Sequence, residues 1–300
     1  MKKKTYLFAL MTMALTLGSC SNNEDGIGSE TSKYITVSTS IGNMTRVATD
    51  EKGGQTFEEG DEISVYAWTG DATVAPETRE RVVNNAINKL TNGSWVSTPQ
   101  MLWKNNRDKH YFIGVYPISA ISDLSAGEYT FDETKQVESD LLVAVNKDGI
   151  SYNADEQQTV PLTFTHVMAK LAVNLTYKNQ WGGIPTVEKV VVGNAAKEAT
   201  INYLTKVVTP STTAKEDFSL PEITENTKYV SVIIPQEDVK QLTIVIGGKN
   251  FVYDNGTPFK LESGKITTVN LEVGRDEIKL GDVKITNWED GSTFSGEALN

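Results

Sequence analysis

The chain has 300 residues, of which 39% are hydrophobic and 22% charged, a globular composition with length enough for two domains. Its 28 basic and 39 acidic residues give a formal net charge of -11; without Lys2, Lys3 and Lys4 the balance becomes 25 against 39, or -14. So acidic a surface repels phosphate backbones and argues against a nucleic-acid partner, while a single Cys and two His exclude an internal disulfide framework or a Cys/His zinc site.

Residues 1–20 read as an export signal. Lys2-Lys3-Lys4 form a positive start, and Tyr6 to Leu17 an uncharged apolar run. Twelve residues are too few to cross a hydrocarbon core, which takes about 20 as a helix. The run ends in Leu17-Gly18-Ser19-Cys20, which resembles the lipobox of bacterial lipoproteins, and Cys20 is the only cysteine of the chain. The resemblance implies cleavage before Cys20, acylation (palmitate or a similar chain) of its thiol and new amino terminus, and anchoring in the outer membrane. Several acyl chains hold a protein stably where one does not. Residues 21–33 follow as a polar stretch, Ser21-Asn22-Asn23-Glu24-Asp25-Gly26 and onward, with the composition of a flexible tether. An acidic cluster directly behind a lipidated Cys resembles the surface-export signal of lipoproteins in Bacteroides-type bacteria.

From Tyr34 the dominant period is two. Ile35, Val37, Thr39 and Ile41 alternate with Thr36, Ser38 and Ser40, and the same alternation recurs over Ile63 to Trp68, Tyr111 to Tyr116, Leu171 to Tyr177 and Ile266 to Val273. Val190 to Val192, Val230 to Ile234 and Leu242 to Ile246 read as strands buried on both faces. Asn92-Gly93, Asp148-Gly149, Gly247-Gly248 and Ser263-Gly264 are turn signals between them. The expected fold is all-β, built from antiparallel sandwiches rather than a parallel sheet. One segment competes: Val83, Ala86, Ile87 and Leu90 stand at helical spacing, but the Asn92-Gly93 turn and Trp95-Val96 behind it favour the first strand of a hairpin. About 265 strand-rich residues exceed one sandwich of ~100, so the chain divides into an N-terminal sandwich over 34–168 and a C-terminal one over 169–300.

No site chemistry stands out. His110 and His166 have no second His or Cys near them in sequence and read as structural. Gly247-Gly248-Lys249 lacks the spacing of a phosphate loop, and Glu58-Glu59-Gly60-Asp61-Glu62 lacks the alternating ligands of an EF-hand loop, so a capped turn is expected there. No catalytic residue, metal or cofactor is assigned, and the chain is expected not to be an enzyme. Of the five Trp, Trp68 and Trp288 read as packing, whereas Trp181, in Asn179-Gln180-Trp181-Gly182-Gly183, reads as the most exposed. It keeps a rival function open, a surface lipoprotein that binds glycans for a polysaccharide-uptake system.

The order of several segments is more specific than any one of them. A lipobox leader and first strand precede Thr45-Arg46, then Phe57-Glu58-Glu59-Gly60-Asp61-Glu62-Ile63-Ser64-Val65-Tyr66, Ser139-Asp140-Leu141-Leu142 and Phe164-Thr165-His166-Val167-Met168-Ala169-Lys170-Leu171. Ile233-Ile234-Pro235 and Ile285-Thr286-Asn287-Trp288 come last. This series resembles the fimbrillins, the subunits of type V pili. The resemblance implies two tandem transthyretin-like Greek-key β-sandwiches and export as a surface lipoprotein. It also implies a place in the fimbrium after processing, where the subunit serves cell adhesion. An Arg-specific, trypsin-like protease is expected to cut between Arg46 and Val47, making residues 34–46 removable, and other pilin subunits of the same or a related kind then join by donor-strand exchange. Gly42 to Gly60 has the polar composition of an exposed loop where such a cut is easy. Nothing legible encodes the adhesion ligand.

The candidate donor is the tail over 276–300. Ile278 and Leu280 alternate in one phase and Val283 and Ile285 in the other, with Gly281-Asp282 at the change, as two short strands joined by a bulge or kink would have it. The alternative is that both segments complete the second domain, the arrangement expected of a tip subunit. Burying four aliphatic side chains yields roughly 6–12 kcal/mol and ordering eight residues costs about 8–16 kcal/mol. Ladder hydrogen bonds on a preformed edge must therefore decide the exchange.

Overall fold

The computed structural model describes residues 33–42, 56–156, 158–254 and 256–288. The fold is all-β, as expected, and among the described residues the only helical piece is a three-residue 3-10 turn, Thr78–Glu80. The strands are β1 (Thr36–Ile41), β2 (Glu62–Thr69), β3 (Arg81–Thr91), β4 (Ser94–Thr98), β5 (Lys109–Tyr116), β6 (Gly127–Thr130), β7 (Leu142–Ser151), β8 (Thr159–His166), β9 (Ala169–Tyr177) and β10 (Val187–Ala196). There follow β11 (Glu198–Asn202), β12 (Val207–Pro210), β13 (Lys215–Ser219), β14 (Glu222–Thr224), β15 (Lys228–Ile233), β16 (Gln241–Ile246), β17 (Lys249–Asp254), β18 (Lys265–Val273) and β19 (Ile278–Asn287).

Seven of them form one sheet in the order β1-β8-β7-β5-β2-β3-β4. The sheet rolls until its two ends, β1 and β4, come alongside one another. Its inner face holds a core of Ile35, Val37, Ile63, Val65, Phe112, Val160, Leu162 and Phe164. The outer face is also buried: Tyr66, Trp68, Ile113, Val115 and Val143 join a second, larger core with Phe131, Leu171, Val190, Ile201 and Val269. Alternation in β2 thus serves two cores rather than a core and solvent. The larger core is shared by a four-stranded sheet, β13-β10-β16-β17, a five-stranded one, β14-β15-β9-β18-β19, and a three-stranded one, β12-β11-β6. Residues 167 and 168 connect β8 to β9, where the two domains were expected to meet, and β6 from one side pairs with β11 from the other.

Pairing departs from the antiparallel expectation in two places, since β1 runs parallel to β8 and β9 parallel to β18. Each parallel pair joins strands far apart in sequence, which periodicity cannot report. The segment with helical spacing is a strand. Ala67 stands opposite Val83 and Val65 opposite Ala86, so the step of three on β3 spans a step of two on β2. Asn85 takes up the extra residue in a left-handed conformation (φ 54°), and its bulge returns Val83 and Ala86 to the same face.

Gly114 shows how tightly the rolled sheet closes. A Cβ on it would lie 2.6 Å from Cζ of Phe164 and 3.1 Å from Cδ1 of Leu162, two buried side chains of β8. Gly114→Ala is expected to lower the unfolding free energy by about 1–3 kcal/mol, a loss that chemical denaturation would measure.

Candidate assembly site

β1 ladders with β8 from Thr36 opposite Thr159 to Ile41 opposite Phe164. The Gly42 N–H extends the ladder to the Phe164 carbonyl at 2.8 Å. Just before β1, Tyr34 bridges Leu102, and the Ile35 N–H donates to the Met101 carbonyl at 2.9 Å. Ile35 and Val37 are 2% and 6% exposed, Thr39 and Ile41 half-buried, and Ser38 and Ser40 face outward. Ile35 and Val37 belong to the inner core and Ile41 packs against it, whereas Thr39 is half-buried beside β4.

The other side of β1 opens on a cleft of about 500 Å³ between it and β4. Phe57 wedges into this region, edge-on to Trp95, Tyr116 and Phe164 at centroid distances of 5.3, 5.3 and 5.1 Å. The Trp95 indole N–H donates to Oγ1 of Thr39 at 3.0 Å and ties β4 to β1 by a side chain. The acidic segment ahead of β2 is a capped turn. The Glu58 N–H donates to Oδ2 of Asp61 at 2.7 Å and the Asp61 N–H to the Glu58 carbonyl at 3.0 Å, while Glu59 accepts from the Asn92 N–H at 2.7 Å.

The described part of the tail stays on the body: β19 pairs antiparallel with β18, from Ile278 opposite Val273 to Asn287 opposite Lys265. Its register shifts where the alternation changes phase. Val283 opposes Val269 and Leu280 opposes Leu271, so Gly281-Asp282 carries the extra residue. The shift aligns Ile278, Leu280, Val283 and Ile285 with Val273, Leu271, Val269 and Thr267, all buried. At the sheet edge, however, little covers them, and Leu280, Val283 and Ile285 remain 38%, 38% and 41% exposed.

Trp288, directly behind β19, is by contrast buried. Its ring stacks on His166 at 4.2 Å and 8°, and Nζ of Lys170 lies 4.3 Å from its centroid. His166 is held from the other side by Asp140, Nδ1 to Oδ1 at 2.8 Å. Burial pushes the Lys170 ammonium down to about 8, an effect that Asp140 opposes and Lys228 reinforces.

The fimbrillin-like family matches residues 45–288. The chain belongs to this family. Among solved structures, this fimbrillin-like chain is similar to a candidate cell adhesion protein from Bacteroides uniformis, with 20% identity, TM-score 0.64, and 85% of this chain and 99% of that one covered. A second candidate cell adhesion protein, from Bacteroides ovatus, gives 18% identity, TM-score 0.62 and coverages of 85% and 98%. The tip fimbrial protein Mfa3 from Porphyromonas gingivalis, truncated at its C-terminus, gives 10% identity, TM-score 0.50 and coverages of 77% and 95%. At these identities the likeness is one of fold. No curated protein sequence matches.

In the fimbrillin-like chain three of the segments that carried the resemblance meet in space, through Asp140, His166 and Lys170, and Trp288. Cys20, Arg46, Val47, the tether before Lys33 and the end of the tail beyond Trp288 lie outside the described residues. Trp181 is more exposed than Trp68, Trp103 and Trp288, which are buried. It is half-buried, its indole N–H donates to the Val273 carbonyl at 3.0 Å, and its aromatic neighbour Phe251 is inclined at 65°. His110 is a core residue whose Nε2 accepts the Lys104 N–H at 3.1 Å, and desolvation lowers its basicity. Sequence reasoning missed the tie between Trp95 and Thr39 and the socket around Trp288; nothing local in the sequence marks either.

Proposed function

We propose that this fimbrillin-like chain is a pilus-type adhesion subunit, exported as a lipoprotein anchored through Cys20, in which cutting between Arg46 and Val47 frees β1 and a strand from another subunit takes its place. The observation that carries the reading is the position of β1. It fills the edge of the rolled sheet with two buried side chains, has one laddered neighbour, and precedes in sequence the segment that contains Arg46. Removing it exposes the unpaired edge of β8 above Val160, Leu162 and Phe164, an apolar floor suited to strand addition. The partners are accordingly an Arg-specific, trypsin-like protease and further subunits.

The donor in this reading is the tail. Its apolar side chains stay partly in water on its own sheet, so a groove that covered them would add burial worth about 1 kcal/mol for each. Deleting residues 278–300 is expected to abolish polymerisation while the monomer keeps its β circular dichroism and elution volume, because β19 is an exposed edge strand. Loss of the buried Trp288 is expected to lower the monomer's denaturation midpoint without unfolding it. Docking of β19 on β18 also favours a second reading, a tip subunit whose last strand stays home. In that case the deletion leaves incorporation at the pilus end intact.

A further inference from the structure

β19 is held unevenly. Of its ten residues only Ile278 is half-buried and the rest are exposed, and polar contacts such as Asn270 to Asp282 and Lys265 to Asn287 lie at the surface. An edge strand of this kind has one ladder and little side-chain cover, and such elements open locally at low cost. Burial is concentrated one residue further on, at Trp288, which is 3% exposed.

The socket around Trp288 is built without any residue of β19. Asp140, His166 and Lys170 supply a fixed imidazole face and an ammonium, and cation-π attraction is strongest for Trp, more so when desolvated. Gly264 supplies the last wall. It accepts the Trp288 N–H at 3.1 Å, donates its own N–H to the Met168 carbonyl at 2.8 Å, and adopts φ +66°. A Cβ there would stand 3.1 Å from the His166 carbonyl oxygen. Ser263 closes the back of the turn through the Val167 carbonyl at 2.8 Å. The indole Nε1 of Trp288 is buried with no hydrogen-bond partner. The ring is therefore held by face contacts and apolar packing with no hydrogen bond through Nε1, and water would satisfy the N–H once it withdrew.

We propose that Trp288 is the latch of the tail: seated between His166 and Lys170 it keeps β19 on its own β18, and withdrawing this one ring releases the strand for another molecule. The release half of this inference rests on the strand-donation reading above; the holding half does not. It assigns the junction of the two halves of the chain a role in deciding whether the tail serves its own molecule or a neighbour.

Hydrogen exchange of the full-length chain tests the latch directly. Trp288→Ala is expected to speed exchange of the β19 amides by about 100-fold, the order that a lost buried Trp implies, while β2, β5 and β7 keep wild-type protection. Trp288→Phe retains a stacked face and is expected to stay within about 10-fold. If β19 remains as protected in Trp288→Ala as in the wild type, the latch is refuted. If protection falls equally throughout Trp288→Ala, the substitution has loosened the whole fold, and Trp288→Phe decides: selective loss in β19 supports the latch and uniform loss refutes it. Polymerisation after Arg-specific cleavage separates the two readings. A released β19 with a shorter lag supports both, whereas a released β19 with unchanged assembly supports the latch and overturns strand donation.

Discussion

Arg46→Ala is expected to leave a full-length, lipid-anchored monomer that never enters fibres. Arg46 lies five residues past the end of β1, in the segment joining β1 to β2. While that segment is intact, a β1 that opens stays tethered within reach of its slot, at an effective concentration on the order of millimolar, and recloses before a competitor can enter. Cutting turns the same contact into one between two separate pieces. Burial of Ile35 and Val37 is worth roughly 3–6 kcal/mol, enough to hold β1 in a tethered chain and weak for a free peptide. In this reading the cut changes the statistics of reclosing while the ladder of β1 on β8 is left as it is. Immunoblots would follow the mass of the surface protein, and electron microscopy the fibres. Arg46→Lys should behave as Arg46→Ala under an Arg-specific protease. Fibres made by Arg46→Ala would end the cleavage reading.

Much of this arrangement is legible in the chain itself, and what is hidden has identifiable causes. The period of two over Ile35 to Ile41 places those side chains on one face, where they are found. It says nothing of the partner, because β8 lies more than 120 residues away and the pairing is parallel. Local pattern misleads at Val83 and Ala86 because one left-handed Asn85 shifts the phase of a strand, which imitates a helical step. The change of phase at Gly281-Asp282 is the same device, and there the sequence displays it openly. Tyr66 and Trp68 show a further limit. Alternation tells which residues share a face but not that both faces are covered, since the cover comes from Phe131, Leu171 and Val269, remote in sequence. The socket of Trp288 gathers Asp140, His166, Lys170 and Gly264, and only the folded chain brings them together.

A charge placed on the tail separates the two lives proposed for β19. Leu280→Asp and Val283→Asp are expected to leave the monomer within about 0.5 kcal/mol of its original stability, since both side chains are already 38% exposed on an edge strand. The same carboxylates seated in the slot of a partner would replace inward-facing groups such as Val37, among Val160, Leu162 and Phe164. Burying one there without a counter-charge costs several kcal/mol, a loss of two or more orders of magnitude in strand affinity. Denaturant midpoints of the monomer and sedimentation of the cleaved protein would read the two halves of this expectation. Val37→Asp supplies the contrast, because it puts the same group into the slot of the chain itself and should destabilise the monomer by several kcal/mol. Asp at 280 or 283 that blocks assembly while sparing the monomer fits a tail that acts in another molecule. Fibres of normal length from either variant would mean that the inward row of β19 serves only its own sheet, and that the strand filling the slot of β1 comes from elsewhere.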